Sequence, residues 1–248
     1  MAEAVSINKG IIHLNETPEE PMNVIYRGWM FMPEQYKDFY QKLQVSKINL
    51  VIAPSQYSYF MDFSKTYPDF SKTTKALFFD KGEKVELKKI KKRMSRFMIK
   101  DYIKSVHDSD FPEFFICESL TQEQLDSWIL RFNHLRGSHY TGGICIKEYV
   151  DLKKYDGKTN ECRVFYIADQ AIICQKSGQN LRMSKIPKKL VEKYIWNLTV
   201  FYSADYAELE DGSWKILNIR DGQVSEIFED FDLFNFYKEL KHGLGYYD

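Results

Sequence analysis

This 248-residue chain predicts an α+β fold, with a small α/β lead-in domain over residues 1–75 and the main domain over residues 76–248. Three observations carry that expectation. Strand and helix signals alternate from Asn23 to Ala53, β-type segments crowd the second half around an Asp211-Gly212 hairpin signal, and a helical stripe closes the chain.

In the lead-in, Asn23 to Phe31 is extended and aromatic, Pro33 to Leu43 has helical spacing, and Ile48 to Ala53 is a buried strand. Tyr57 to Lys75 mixes aromatic, Ser, Thr and Lys residues without a period, with Pro68 inside, and is expected to be a loop-rich connector. A dense basic run follows between Lys81 and Lys104. Within it Leu87, Ile90, Met94 and Phe97 recur at helical spacing, so an amphipathic basic helix is expected there, followed by an extended segment from Arg96 to Asp101. A solvated helix face is favoured over a nucleic-acid patch, and Lys100 stands apart because it ends an apolar strand.

Thr121 and Gln124 have capping-box spacing, Leu125, Ile129 and Phe132 form a stripe, and Gly137 supplies a stop, giving a helix from Thr121 to Arg136. Strands are then expected at Gly143 to Val150, Glu161 to Ile167, Ala171 to Gln175 and Thr199 to Ile219, with helices near Pro187 to Asn197 and Ile227 to His242.

The 35 basic residues balance the 35 acidic ones, so no net field draws the molecule to nucleic acid or an anionic membrane, and nucleic acid is disfavoured as a partner. The N-terminus lacks a basic start with an apolar core, and the longest apolar run, near Ile48 to Ala53, is too short to span a bilayer; a cytoplasmic location is expected. Cys117, Cys145, Cys162 and Cys174 sit in apolar contexts without a C-x-x-C pair, which reads as buried reduced thiols. The five histidines show no zinc-ligand spacing.

Chemistry concentrates from Phe201 to Ser225. With Asp211-Gly212 as a two-residue loop, Glu210 faces Ser213 and Asp205 faces Asn218. Directly opposed residues have Cβ atoms about 5 Å apart, within reach of one hard cation, for which Mg²⁺ is the natural candidate. Ser203 with Arg220 is the next pair on that face, and Asp221 ends the strand. A solvated face whose Asp and Asn hydrogen-bond across strands fits the same residues equally.

The wording Asp205-x-Ala-Glu-Leu-Glu-Asp-Gly-Ser-Trp-Lys, followed by Asp221-Gly-Gln-Val-Ser, resembles the metal-binding strand pair of ATP-grasp proteins, in a clade of small stand-alone members from bacteria, phages and mobile elements. Met98-Ile-Lys100 resembles the strand whose lysine meets nucleotide phosphates, with Lys104 a second candidate. Ile144-Cys-Ile-Lys147-Glu-Tyr-Val150 resembles the later lysine strand and hinge. Glu161-x-Arg163 resembles the strand that sets an arginine over the phosphates.

The resemblance implies an ATP-grasp fold, two α+β lobes gripping a nucleotide. It implies ATP at Lys100, Lys104, Lys147, Glu161 and Arg163, with the Glu148, Tyr149 and Val150 backbone reading adenine. Mg²⁺ would sit at Asp205, Asn218 and Asp221, with Arg163 and Arg220 acting on the transferred phosphoryl group. Tyr149 and Phe165 are candidates for adenine contact. A surface ion pair beside a core Phe fits Glu161 nearly as well. The family commonly places Glu where Asn218 stands and Asn where Arg220 stands, so this chain removes an anion and adds a cation beside the metal position.

The implied activity is an ATP-dependent ligase that activates a carboxylate as an acyl phosphate and joins it to an amine or similar nucleophile. ATP and an unidentified carboxylate or protein substrate are its partners. A non-catalytic ATP-binding assembly factor is the alternative that the altered Asn218 and Arg220 positions favour. Nucleic-acid modification through the basic run ranks last.

Overall fold

A computed structural model describes residues 5–8, 11–14, 18–106, 110–176, 183–196, 201–228 and 231–244. Among the expected features, Asn197, Thr199, His107 and Gly245 lie outside the described residues. The first half runs β1 (Val5–Asn8), β2 (Ile11–Leu14), β3 (Met22–Val24), α1 (Pro33–Val45), β4 (Ile48–Leu50), α2 (Pro54–Met61), α3 (Phe63–Thr66), β5 (Ala76–Asp80), α4 (Leu87–Lys91), β6 (Arg96–Asp101), β7 (Phe115–Ile116) and α5 (Gln122–Arg136). The second half runs β8 (Gly143–Glu148), β9 (Lys154–Tyr155), β10 (Lys158–Thr159), β11 (Glu161–Ile167), β12 (Gln170–Gln175), α6 (Lys188–Glu192), β13 (Phe201–Glu208), β14 (Trp214–Asp221) and α7 (Leu233–Gly243).

Two antiparallel four-stranded sheets organise these elements, in the orders β5-β8-β6-β7 and β12-β11-β13-β14. Alternation along each strand decides what faces the gap between them. In β6, Phe97 and Ile99 point into a core with Leu125 and Phe132 of α5, while Lys100 lies on the other face. In β8, Ile144 and Ile146 join that core, whereas Cys145 belongs to the central cluster with Phe63, Tyr202 and Ile219. Lys147 shares the Cys145 face. The first sheet therefore turns two lysines and a thiol toward the second.

Helix boundaries follow local chemistry. Thr121 Oγ1 accepts from Gln124 N at 3.3 Å and Gln124 Oε1 accepts from Thr121 N at 2.9 Å, the reciprocal cap its sequence implies. Pro33 and Pro54 start α1 and α2, where a missing N–H has no intrahelical partner to lose. All four cysteines are buried and free.

Three expectations need correction. The Tyr57 to Lys75 segment is not a loop: α2 and α3 occupy much of it, and Tyr57, Phe60, Phe63 and Phe70 are each at most 2% exposed. Long-range burial of aromatics overrides weak local period there. The basic helix shrinks to the five residues of α4, although Leu87, Ile90 and Met94 are buried as expected. The extended stretch from Asn23 reaches only Val24, where β3 runs parallel to β4.

The hairpin departs from its expected form twice. Asp205 does pair with Asn218 and Ser203 with Arg220, yet Tyr206 pairs with Ile216 and Glu208 with Trp214. Gly212, at φ 79°, closes a turn by donating to Leu209 O while Leu209 N donates to Ser213 O, so the loop holds three residues, Glu210 to Gly212. Leu217 is then the extra residue of a β-bulge, which restores the register beyond it.

Candidate nucleotide site

β6, β8, β11 and β14 bring the expected cations into one cleft. Lys100 and Lys147 are 3% and 6% exposed, and their ammonium nitrogens lie 4.7 and 5.1 Å from the centre of the Phe63 ring. Lys147 Nζ donates to the carbonyl of Leu217, the residue the bulge leaves unpaired. Burial pushes Lys147 down to about 7, reinforced by Lys100, while Cys145 and Asp205 oppose. Burial likewise lowers Lys100, with Cys145 opposing and Arg220 adding to the shift. Among the described residues, neither lysine forms an ion pair with a carboxylate; Asp62 instead caps α3 through Ser64, and Asp101 pairs with Arg136 Nε at 2.8 Å. The ring beneath them partly replaces that missing anion, at about 1 to 2 kcal/mol per desolvated cation.

Opposite them, Arg163 grips Asp205 with two bonds, Nε to Oδ1 at 2.6 Å and Nη2 to Oδ2 at 3.2 Å, and donates through Nη1 to Glu226 O at 2.7 Å. The pairing follows from topology, since Arg163 and Asp205 are Cα partners across β11 and β13. Sequence arithmetic within the hairpin could not find it. Arg220 is exposed on the same face as Asn218, two residues further along β14. Lys104 is exposed at the turn after β6, which Asp101 Oδ1 holds by accepting from Ile103 N and Lys104 N at 2.7 and 2.6 Å. Burial lowers Lys104 too, with Arg136 and Arg220 adding to it.

Other expected residues are placed elsewhere. Asp221 pairs with Tyr202 on the opposite face of β14 from Asn218, because strand side chains alternate. It is fully buried, and its Oδ1 accepts from Gln223 N at 2.9 Å and Gln223 Nε2 at 3.2 Å. Its Oδ2 has no partner, and burial raises the carboxyl to about 7. The structure therefore does not bring Asp221 together with Asp205 and Asn218.

At the hinge, the N–H groups of Glu148 and Tyr149 are spent on Lys75 O and Arg96 O, at 2.8 and 3.0 Å, so they do not present free donors to a base. Val150 follows at the strand end. Glu148 Oε1 meets Lys75 Nζ at 2.9 Å and Oε2 meets Lys215 Nζ at 3.7 Å, tying the first sheet to β14. Tyr149 stacks on Phe114 with centroids 4.3 Å apart and lies under Arg96, while Phe165 is fully buried between Phe201 and Phe236, so neither ring is open to adenine. Glu161 pairs with Lys176 at 2.9 Å, away from the lysine pair and beside the end of β12. Phe63 and the Leu217 carbonyl escaped the sequence reading; the buried FxxxY spacing from Phe63 to Tyr67 is helix-like but carries no signal of a cation beneath it.

Charge settles what this cleft suits. Lys100, Lys147, Arg163 and Arg220 face one carboxylate, Asp205, and two like charges about 5 Å apart repel by roughly 3 kcal/mol at an effective dielectric near 20. A polyanion relieves that repulsion. The donor set for a divalent cation is poor by the same measure: Asp205 is committed to Arg163, Asn218 is neutral, and no cluster of three His, Cys, Asp or Glu side chains able to hold a metal occurs among the described residues.

The sequence matches an ATP-grasp domain family, family 3 of its clade, over residues 58–240, and the chain belongs to that family. Its fold is similar to that of D-cycloserine synthetase DcsG, with 12% identity over 81% of this chain and 75% of that one at a TM-score of 0.56. D-alanyl-alanine synthetase A from Vibrio cholerae shows 11% identity, coverage of 97% and 82%, and a TM-score of 0.56. The ATP-grasp ligase PsnB, complexed with a phosphomimetic variant of its minimal precursor, Mg and ADP, shows 10% identity, coverage of 96% and 83%, and a TM-score of 0.55. Identities this low establish the fold that the sequence implied, two antiparallel-sheet lobes with a cleft between them. No curated protein matches the sequence. No helix among the described residues is long and apolar enough to cross a membrane.

Proposed function

We propose that this protein is an ATP-dependent ligase that activates a carboxylate as an acyl phosphate and joins it to an amine or similar nucleophile. The observation that carries the reading is the convergence of Lys100, Lys147, Arg163 and Arg220 on one cleft between the two sheets, with Asp205 the one carboxylate bonded among them. A triphosphate supplies the charge that this cluster lacks.

In this reading Lys100 and Lys147 take phosphate oxygens from one lobe while Arg163 and Arg220 take them from the other, and Lys104 guards the mouth. The substrate carboxylate oxygen bonds to the γ-phosphorus as the bond to the ADP oxygen breaks. The nucleophile's lone pair then bonds to the acyl carbon, phosphate leaves with the carbon–oxygen pair, and the amine proton passes to solvent. The chain's residues position groups and spread charge rather than forming a covalent intermediate. Residues 1–75 shape the acceptor side of this site, and four free thiols together with a nucleotide substrate suit a reducing, ATP-containing compartment such as the cytoplasm.

The test is ADP release from ATP with mixed panels of carboxylates and amines, for the wild type and Lys147→Ala. ADP release that needs both a carboxylate and Lys147 supports the ligase. Release indifferent to Lys147 sinks the site assignment. A second reading, a non-catalytic ATP-binding assembly factor, draws on the Arg163 grip on both oxygens of Asp205. Tight ATP binding with no turnover across the panels, together with protection of a protein partner, marks that reading.

A further inference from the structure

We infer that this cleft holds nucleotide polyphosphate with its own side-chain cations and no protein-bound divalent metal, so that free nucleotide binds at least as tightly as its magnesium complex. The inference rests on the nucleotide reading above and concerns how that site neutralises charge.

A hard cation such as Mg²⁺ needs several oxygen ligands, with carboxylates supplying most of its attraction on the protein side. Each candidate oxygen here is withdrawn. Asp205 gives both its oxygens to Arg163, at 2.6 and 3.2 Å. Asn218 offers an uncharged amide, and its neighbour on the same face is the guanidinium of Arg220. Asp221 is sealed on the opposite face, bonded to Gln223 beside Tyr36.

The residues that displace the metal can do its work. Guanidinium groups bind phosphate with two parallel bonds, and Arg163 and Arg220 stand on neighbouring positions of the second sheet, whose partners Asp205 and Ser203 lie two residues apart on β13. Lys100 and Lys147 close the other side, packed against Phe63 rather than against an acid. Asp205 then acts as a countercharge that holds Arg163 in place until phosphate arrives. Any magnesium enters on the nucleotide's own oxygens.

Opposite signs separate this arrangement from a protein-held metal. ATP is titrated calorimetrically into the full chain with Mg²⁺ and then with EDTA, for the wild type, Asp205→Asn and Arg220→Gln, with a thermal melt of each variant. Wild-type affinity in EDTA should equal or exceed that in Mg²⁺. Asp205→Asn should tighten binding about tenfold in both media by removing an anion from the site, and Arg220→Gln should weaken it by a similar factor. A protein-held metal reverses both signs: Asp205→Asn loses a ligand and Arg220→Gln loses a repulsion. Wild-type affinity that drops more than about tenfold in EDTA, or weaker binding by folded Asp205→Asn, overturns the inference while leaving nucleotide binding intact. Absence of wild-type binding in both media overturns the nucleotide reading and the inference with it.

Discussion

Replacing Asp221 by Asn should stabilise the protein at alkaline pH and do far less at acidic pH. Asp221 is fully buried, and its Oδ2 has no hydrogen-bond partner. Burial raises the folded carboxyl from 3.8 to about 7, against the hydrogen bonds from Gln223 and the smaller effect of the Arg27 charge. In the unfolded chain the group ionises near its ordinary value, so between about pH 4 and 7 the folded state binds the extra proton and stability falls as pH rises. Above 7 the loss is complete.

One pKa unit is worth about 1.4 kcal/mol, so the wild type should lose roughly 2 to 3 kcal/mol between about pH 5 and pH 8 from this group alone. The Asn variant keeps the acceptor for Gln223 and cannot titrate. Its own unsatisfied amide contributes equally at both pH values and cancels from the difference. Urea unfolding of both proteins at about pH 5 and pH 8 measures the difference directly. A gain from Asp221→Asn of the same size at both pH values would refute the buried-charge argument. Arg27 donates to Ser225 O at 2.8 Å and also to Gly222 O, so its charge is anchored on the backbone rather than on Asp221.

Nucleotide binding should take up a proton at Lys147, because phosphate restores the ammonium that burial holds near 7; affinity then weakens as pH rises above 7, and titrations in buffers of different ionisation heat should show the uptake. Equal heats across buffers would exclude it. Phe63→Leu should destabilise the fold by about 1 to 3 kcal/mol in urea, combining a core cavity with the loss of the ring beneath Lys100 and Lys147. Gly212→Ala should cost about 1 kcal/mol, since φ 79° suits glycine and nothing crowds the added methyl; an unchanged midpoint would mean the three-residue loop is wrong.

Local chemistry is legible wherever neighbours in sequence decide structure. The cap of Thr121 and Gln124, the prolines that open α1 and α2, and the face shared by Asp205, Asn218, Ser203 and Arg220 all follow from spacing. The expected hairpin register holds beyond the bulge because two departures offset one another: a loop one residue longer than Asp211-Gly212, and an extra residue at Leu217. That offset has a consequence in the site, for the bulge frees the carbonyl that Lys147 meets.

By itself the sequence determined the α+β class, the order of the strand-borne lysines and arginines, and the reading of Asp205 against Asn218. Only the tertiary structure decided which charges meet. Arg163 reaches Asp205 because β11 pairs with β13 across more than a helix of intervening chain, and Lys100 and Lys147 share Phe63 because α3 packs under the first sheet. Strand alternation turned Asp221 away, and backbone bonds consumed the Glu148 and Tyr149 donors. The physical reason is common to all four. Side-chain charge and backbone donors are satisfied by partners distant in the chain, and no local period encodes which distant strand will lie alongside.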